Sequence, residues 1–291
     1  MEDEVAERRF RFGLVAAPTA SAKEWTELAR RAEGMGFSTL LMPDARRLPS
    51  SFPALTLAAA NTETLRVGNF VLAAPLRSPQ SIAWDTATLD QFSHGRFELG
   101  LGAGRPDAEG DAHILGVPFG TPGERVRRVA ETIETVRGMF DDAAGGNEEL
   151  RAYRPVQRPA PPIMVAGSGN RLLSIAARQA DIVAIGAGLE PNLREKVGFI
   201  RETAGDRFDD LELSLNVFAI GDGELPPWIR NFGLDPTLAV ENRLLSVLNG
   251  DTATAIDVLR RRRDQFETSY ITINAFALEA AAPIVEQLAG R

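Results

Sequence analysis

Cysteine is absent from all 291 residues of the chain, which excludes disulfides and thiolate metal sites. Histidine occurs twice, as His94 and His113, so a multi-histidine metal centre is not expected and no metal is assigned. No apolar run reaches the roughly 20 residues that a membrane helix needs. Basic residues are in the minority, 32 against 40 acidic ones. The resulting charge of -8 argues against a nucleic-acid partner. The N-terminus, Met1-Glu2-Asp3-Glu4, is acidic and carries no signal-peptide core, so the cytoplasm is the expected compartment. What remains is a chain with 44% hydrophobic residues, enough to fill a substantial core. Without a repeat, a low-complexity tract or a break in composition, residues 1–291 read as a single domain.

Two glycine-rich segments stand out. Gly95-Arg96-Phe97-Glu98-Leu99-Gly100-Leu101-Gly102-Ala103-Gly104 ends an apolar stretch in closely spaced glycines, and Ile163-Met164-Val165-Ala166-Gly167-Ser168-Gly169-Asn170-Arg171 repeats the arrangement. Glycine at the carboxyl end of a strand lets backbone approach a ligand with no Cβ in the way.

Strand and helix signals alternate throughout. Strands are expected at 10–16, 39–42, 66–72, 96–101, 163–166, 181–185, 211–220 and 270–274. Ser21 and Glu24 form a capping-box pattern ahead of Trp25, Leu28, Ala29, Ala32 and Met35, which recur at helical spacing. Ser78-Pro79 and Thr121-Pro122-Gly123-Glu124 open further helices with proline at the first position. Asp251 caps another, and Pro283 is expected in the first turn of the last helix or at a kink in it. Eight β/α units with continuous apolar strands favour a closed parallel barrel, the (β/α)8 form of the α/β class. An open doubly wound sheet competes, but the glycine motif it needs after its first strand is replaced by Ala16-Ala17-Pro18-Thr19. Two loops are long, Gly102–Gly120 and Gly221–Ser246. The second, with Pro226-Pro227-Trp228 and Asn231-Phe232-Gly233, reads equally as a lid or as an ordinary surface excursion.

In such a barrel the chemistry lies beyond the carboxyl ends of the strands. That rule selects Asp44, Arg46 and Arg47 after the second strand, and Ala73, Ala74, Pro75 and Arg77 after the third. After the fourth it selects Gly102, Gly104, Arg105, Asp107, Asp111 and His113; Asn274 follows the eighth. Gly167, Ser168, Gly169, Asn170 and Arg171 follow the fifth, where free amides and the positive end of a helix suit a phosphate. Asp44 either binds a ligand or caps a turn. His113 is a candidate proton carrier or a partly exposed helix residue. His94 precedes the fourth strand and belongs to the opposite end. Asp107 and Asp111 read as solvated loop acids, and Arg260–Arg263 as a solvated helix end. No nucleophile elbow, P-loop or zinc motif is present, so a bound organic cofactor is expected to carry the chemistry.

The chain resembles the bacterial luciferase-like flavin and deazaflavin oxidoreductases, most of all the branch that depends on the deazaflavin coenzyme F420. The stretches that carry the resemblance are 28–44 (LARRAEGMGFSTLLMPD), 65–72 (LRVGNFVL), 87–104 (ATLDQFSHGRFELGLGAG), 115–119 and 161–181. The resemblance implies a barrel with an insertion before the last helix–strand unit, here 221–246, and a homodimer. It implies hydride transfer between F420 and a small or medium organic substrate, with an FMN-dependent monooxygenase as the alternative. It places Asp44 near the cofactor, and Leu72, Ala73 and Ala74 at a third-strand bulge under the ring, where a non-proline cis peptide is frequent. Gly102 and Gly104 fall on the fourth-strand rim, and Gly167, Ser168 and Gly169 on the phosphate turn. Two positions depart from the pattern. Ala45 stands where many F420-dependent members carry histidine, and Arg105 where some carry glutamate. Proton delivery then falls to His113, Asp44 or the substrate, with Arg105 holding an acidic substrate or a cofactor tail. A cofactor-free member, acting in binding or in non-redox chemistry, is the reading of a different class.

Overall fold

Short apolar runs become the strands of a closed barrel. The computed structural model describes residues 8–18, 21–186, 188–222 and 244–291. In chain order its strands are β1 (Arg11–Val15), β2 (Thr39–Met42), β3 (Arg66–Asn69), β4 (Leu72–Ala73), β5 (Phe97–Gly102), β6 (Ile163–Gly167), β7 (Ile182–Ile185), β8 (Glu212–Val217), β9 (Ala219–Ile220), β10 (Val247–Leu248) and β11 (Thr268–Asn274). The parallel order is β3-β2-β1-β11-β8-β7-β6-β5, and pairing of β3 with β5 closes the ring. This is the (β/α)8 barrel that the sequence leads one to expect. β4 continues the third strand along β5, and β9 and β10 form a separate parallel pair.

The helices are α1 (Ala22–Gly34), α2 (Ser51–Ala59), α3 (Pro79–Phe92), α4 (Ala108–Leu115), α5 (Pro122–Ala144), α6 (Asn170–Gln179), α7 (Glu190–Ala204), α8 (Thr252–Phe266) and α9 (Leu278–Leu288). Their starts follow local chemistry. Ser21, Ser78 and Asp251 accept backbone N–H groups of α1, α3 and α8, and Thr121 and Glu124 complete a reciprocal capping box on α5. Pro283 lies inside α9 rather than in its first turn. Of the expected insertion at 221–246, residues 223–243 lie outside the described residues.

Alternation along each strand divides the interior into two cores. Phe12 and Leu14 of β1, for instance, join the main core between barrel and helices. Val15, Leu41, Met164, Ile182, Ala184 and Tyr270 form a second cluster inside the barrel. Below that cluster, at the amino ends of the strands, the interior is ionic. Arg11 Nη1 donates to Glu98 Oε1 at 2.7 Å, and Arg66 Nε to the same oxygen at 2.6 Å. Arg11 also donates through Nε to Glu212 Oε1 at 2.6 Å, and its guanidinium lies 3.5 Å from the Tyr270 ring centroid. β1 and β5 are not neighbours in the sheet, so these bonds cross the lumen. Burial alone would raise the Glu98 carboxyl, but Arg11 and Arg66 outweigh it and hold it below its ordinary value. Burial and the Glu98 charge together push the Tyr270 phenol well above its own. This plug was not legible beforehand, because Arg66 and Glu98 read only as strand residues.

The third strand is interrupted between β3 and β4. The Phe70–Val71 peptide there is cis, close to the bulge implied at Leu72, Ala73 and Ala74. β5 runs tightly against this break. A Cβ on Gly100 would come within 1.9 Å of the Asn69 carbonyl oxygen, so glycine is required for the close approach.

Candidate active site

Continuing the inward alternation to the carboxyl end of the barrel gives its uppermost layer: Val15, Gly102, Ala166, Ala184, Asn216 and Asn274. All six line a cavity of about 1120 Å³. Three of them, Gly102, Ala166 and Ala184, have small or absent side chains, which leaves a broad floor. Asn274 Oδ1 accepts the Phe276 backbone N–H at 3.1 Å, which fixes the amide orientation and leaves Nδ2 as a donor. Asn216 Oδ1 sits 3.1 Å from Thr272 Oγ1 in the same sense. The volume lies at the top of the range for ligand pockets, roughly 300–1,000 Å³, and has room for a large organic group.

The wall beyond β6 is the anion turn. Gly167 through Arg171 all line the cavity, and α6 starts at Asn170 with Gly169 as its N-cap. Leu172 and Leu173 both donate to the Gly169 carbonyl at 3.0 Å, while the N–H groups of Asn170 and Arg171, at the first two helical positions, lack an intrahelical acceptor. A Cβ on Gly169 would meet no atom within 4 Å, so the turn opens on empty space.

The wall beyond β2 carries Asp44. Its side chain is 7% exposed and is held by Arg77, whose Nη2 donates to Oδ1 at 2.9 Å and whose Nη1 donates to Oδ2. Ser51 Oγ reaches Asp44 Oδ1 at 3.3 Å, and Asn69 Nδ2 donates to Ser51 at 3.0 Å. Burial holds the nearby Asp85 carboxyl above its ordinary value, against the opposing pull of Arg77. Arg77→Met is expected to leave Asp44 without its cation and to lower stability by about 1–2 kcal/mol in chemical denaturation. A wholly buried pair would cost about 3–5 kcal/mol, and solvent at Arg77 reduces that.

The wall beyond β5 is α4 and its flanks, a helix whose bounds the sparse apolar positions of 102–120 did not mark, although a helical place for His113 was one of its two readings. Ala112 packs with Ala73, Leu76, Val117 and Phe119. Asp111 receives the Arg46 backbone N–H at 3.2 Å and pairs with Arg46 Nε at 3.3 Å, tying α4 across to the β2 loop. Arg105 pairs with Asp107 at 3.2 Å.

Of the residues selected from sequence, Asp44, Arg105, Leu72, Ala73, Gly102, Gly104, Gly167, Ser168, Gly169, Asn170 and Arg171 converge on this one cavity. His113 does not. On α4, Ala108 and Asp111 share the inward face and Ala112 is buried, which turns His113 out to solvent. Ala74 is also displaced: the strand ends at Ala73, and Ala74 opens a 3-10 turn that buries it fully in the main core, off the cavity lining. Sequence reasoning passed over Asn216, Phe70, Val71 and Phe218. The period-two pattern of β8 was the signal for Asn216, obscured by its apolar neighbours.

The model of the luciferase-like monooxygenase family matches residues 8–222, more than half of the chain. The chain belongs to this family. A luciferase-like relative, the FMNH2-dependent dimethylsulfone monooxygenase of Pseudomonas putida, is 26% identical over 228 residues, covering 72% of this chain and 62% of that protein. The chain thus spans less than two thirds of that relative's length. An uncharacterized protein of Mycobacterium tuberculosis is 31% identical over 229 residues, covering 66% of this chain and 77% of its own. Among solved luciferase-like barrels, the coenzyme F420-dependent tetrahydromethanopterin reductase of Methanopyrus kandleri superposes with a TM-score of 0.74 at 18% identity. It covers 97% of this chain and 99% of that one, a likeness of fold. No helix among the described residues is long and apolar enough to cross a membrane.

Proposed function

We propose that the chain is a two-electron oxidoreductase that transfers a hydride between coenzyme F420 and an organic substrate. The observation that carries this reading is the pairing of an anion turn with a broad floor of small side chains in one cavity. The residues fit such a group. Gly169 opens on free space, amides at the α6 start meet a phosphate, and Asn216 and Asn274 offer donors to ring carbonyls. When bound, the deazaflavin supplies a ring carbon that accepts or gives a hydride.

The protein's part is to bind, orient and exclude. Gly167 to Arg171 hold the tail. Leu72, Ala73 and Val71 would support the ring, and Asp44 accepts hydrogen bonds from Arg77 and Ser51, the arrangement of an anchor rather than of an acid. Arg105 is a donor only and serves in binding. The lining holds no histidine, so the proton that balances the transfer is exchanged with solvent at the open mouth.

A second reading, an FMN-dependent monooxygenase, is favoured by the likeness to the Pseudomonas putida enzyme. Titration with F420 and with FMN, followed by visible spectra and by melting temperature, separates the two. Binding of F420 with a rise in Tm is the expected result. Binding of FMN alone selects the second reading, and a protein stabilised by neither is not a redox enzyme. We extend the proposal to a homodimer, which light scattering checks.

A further inference from the structure

We infer that the substrate is an organic anion whose acidic group is held by Arg47, with the Asn274 amide as a second donor. This rests on the redox reading of the cavity. The starting point is which charges the protein neutralises for itself. Three carboxylates line the cavity, and each has its own arginine: Asp44 with Arg77, Asp107 with Arg105 and Asp111 with Arg46. Three arginines line it as well. Arg105 is taken by Asp107, whereas Arg47 and Arg171 make no ion pair among the described residues. Both are exposed at the rim, so among the described residues the cavity carries two cations answered by solvent and by no protein counter-charge.

Sheet order keeps these two apart. β6 lies opposite β1 in the ring, and β2 and β11 flank β1. Arg171 belongs to the turn after β6, where one phosphate satisfies it together with the α6 amides. Arg47 follows β2, and Asn274 ends β11, in register with Val15 of β1. One anion at the β6 turn does not serve the far wall. With Asp44 saturated by Arg77 and Ser51, that far wall presents donors and no unpaired acceptor charge. A carboxylate, sulfonate or phosphate meets this chemistry. A neutral alcohol or an amine leaves Arg47 unanswered.

The same chemistry has a second source, an acidic group on the cofactor's own tail, and the experiment distinguishes them. Acid–amide pairs, butanoate to decanoate and phenylacetate, each against its primary amide, are titrated into wild-type protein with and without bound cofactor. Binding is read from Tm and from perturbation of the cofactor spectrum. At least one acid is expected to bind roughly ten-fold or more tightly than its amide. Arg47→Met is expected to remove that preference, Arg47→Lys to retain part of it, and Arg171→Met to weaken cofactor binding with the preference intact. The inference is overturned if no acid is preferred, if the preference survives Arg47→Met, or if Arg171→Met abolishes it. It is overturned equally if Arg47→Met weakens the cofactor and leaves acid affinity unchanged, since the anion at Arg47 is then the cofactor's. Failure of the redox reading shows separately, as absence of binding by either cofactor, while the Tm arm still reports acid against amide on the cofactor-free protein.

Discussion

Gly169→Asp is expected to weaken cofactor binding by a hundred-fold or more while the protein remains at least as stable as wild type. The two effects have separate causes. Gly169 is the N-cap of α6 with φ -84° and ψ 140°, a conformation any residue adopts, and its Cβ direction is open. Aspartate is among the best N-cap residues, worth about 0.5–2 kcal/mol over alanine and a few tenths over glycine. Its charge also suits the helix start. The same carboxylate occupies the position of the phosphate and repels it, replacing an attraction by a repulsion. That reversal is worth about 3 kcal/mol or more in a partly desolvated site, which is the hundred-fold loss. Gly167→Asp is the poorer choice, because a Cβ there meets Leu172 Cδ2 at 2.4 Å and confounds binding with packing. A titration showing unchanged affinity in a folded Gly169→Asp protein removes the phosphate assignment.

Glu98→Gln is expected to destabilise the barrel by about 3–5 kcal/mol in urea or guanidinium unfolding. The side chain is 2% exposed and answers both Arg11 and Arg66. The amide keeps the shape but leaves two guanidinium groups in the lumen with one carboxylate, Glu212, between them and solvent. The pH dependence follows from the lowered carboxyl. In wild type the contribution of Glu98 is whole above its unfolded value of about 4.5, and it is lost as pH falls through the lower folded value. Glu98→Gln therefore flattens the acid limb of the stability curve as well as lowering the plateau. A variant as stable as wild type at neutral pH, with an unchanged acid limb, shows the ion cluster to be energetically idle.

The parts of the fold that were legible in sequence are those governed by local rules. The capping residues Ser21, Ser78, Thr121 and Asp251 mark helix starts, and uninterrupted apolar runs mark strands buried on both faces. The β6 turn was legible for the same reason: Gly-Ser-Gly-Asn between a strand and a helix has a local meaning. What escaped depends on partners distant in sequence. Arg11, Arg66, Glu98 and Glu212 acquire significance only when barrel closure brings them together. α4 buries one residue, Ala112, so its period was too faint to set its bounds or to choose between the two readings of His113, of which the structure has the exposed helix position. The third-strand bulge was implied by resemblance, but the close approach of Gly100 to the Asn69 carbonyl beside it was not.

The ionic plug also dictates traffic. With the amino end of the cylinder stoppered by Arg11, Glu98, Arg66 and Tyr270, the described residues leave the carboxyl end as the doorway, and arrivals and departures share it. On the redox reading, whichever of cofactor and substrate seats deeper has to enter ahead of its companion and leave after it. Steady-state rates should accordingly obey a compulsory order, with product inhibition competitive toward the deeper, first-bound ligand.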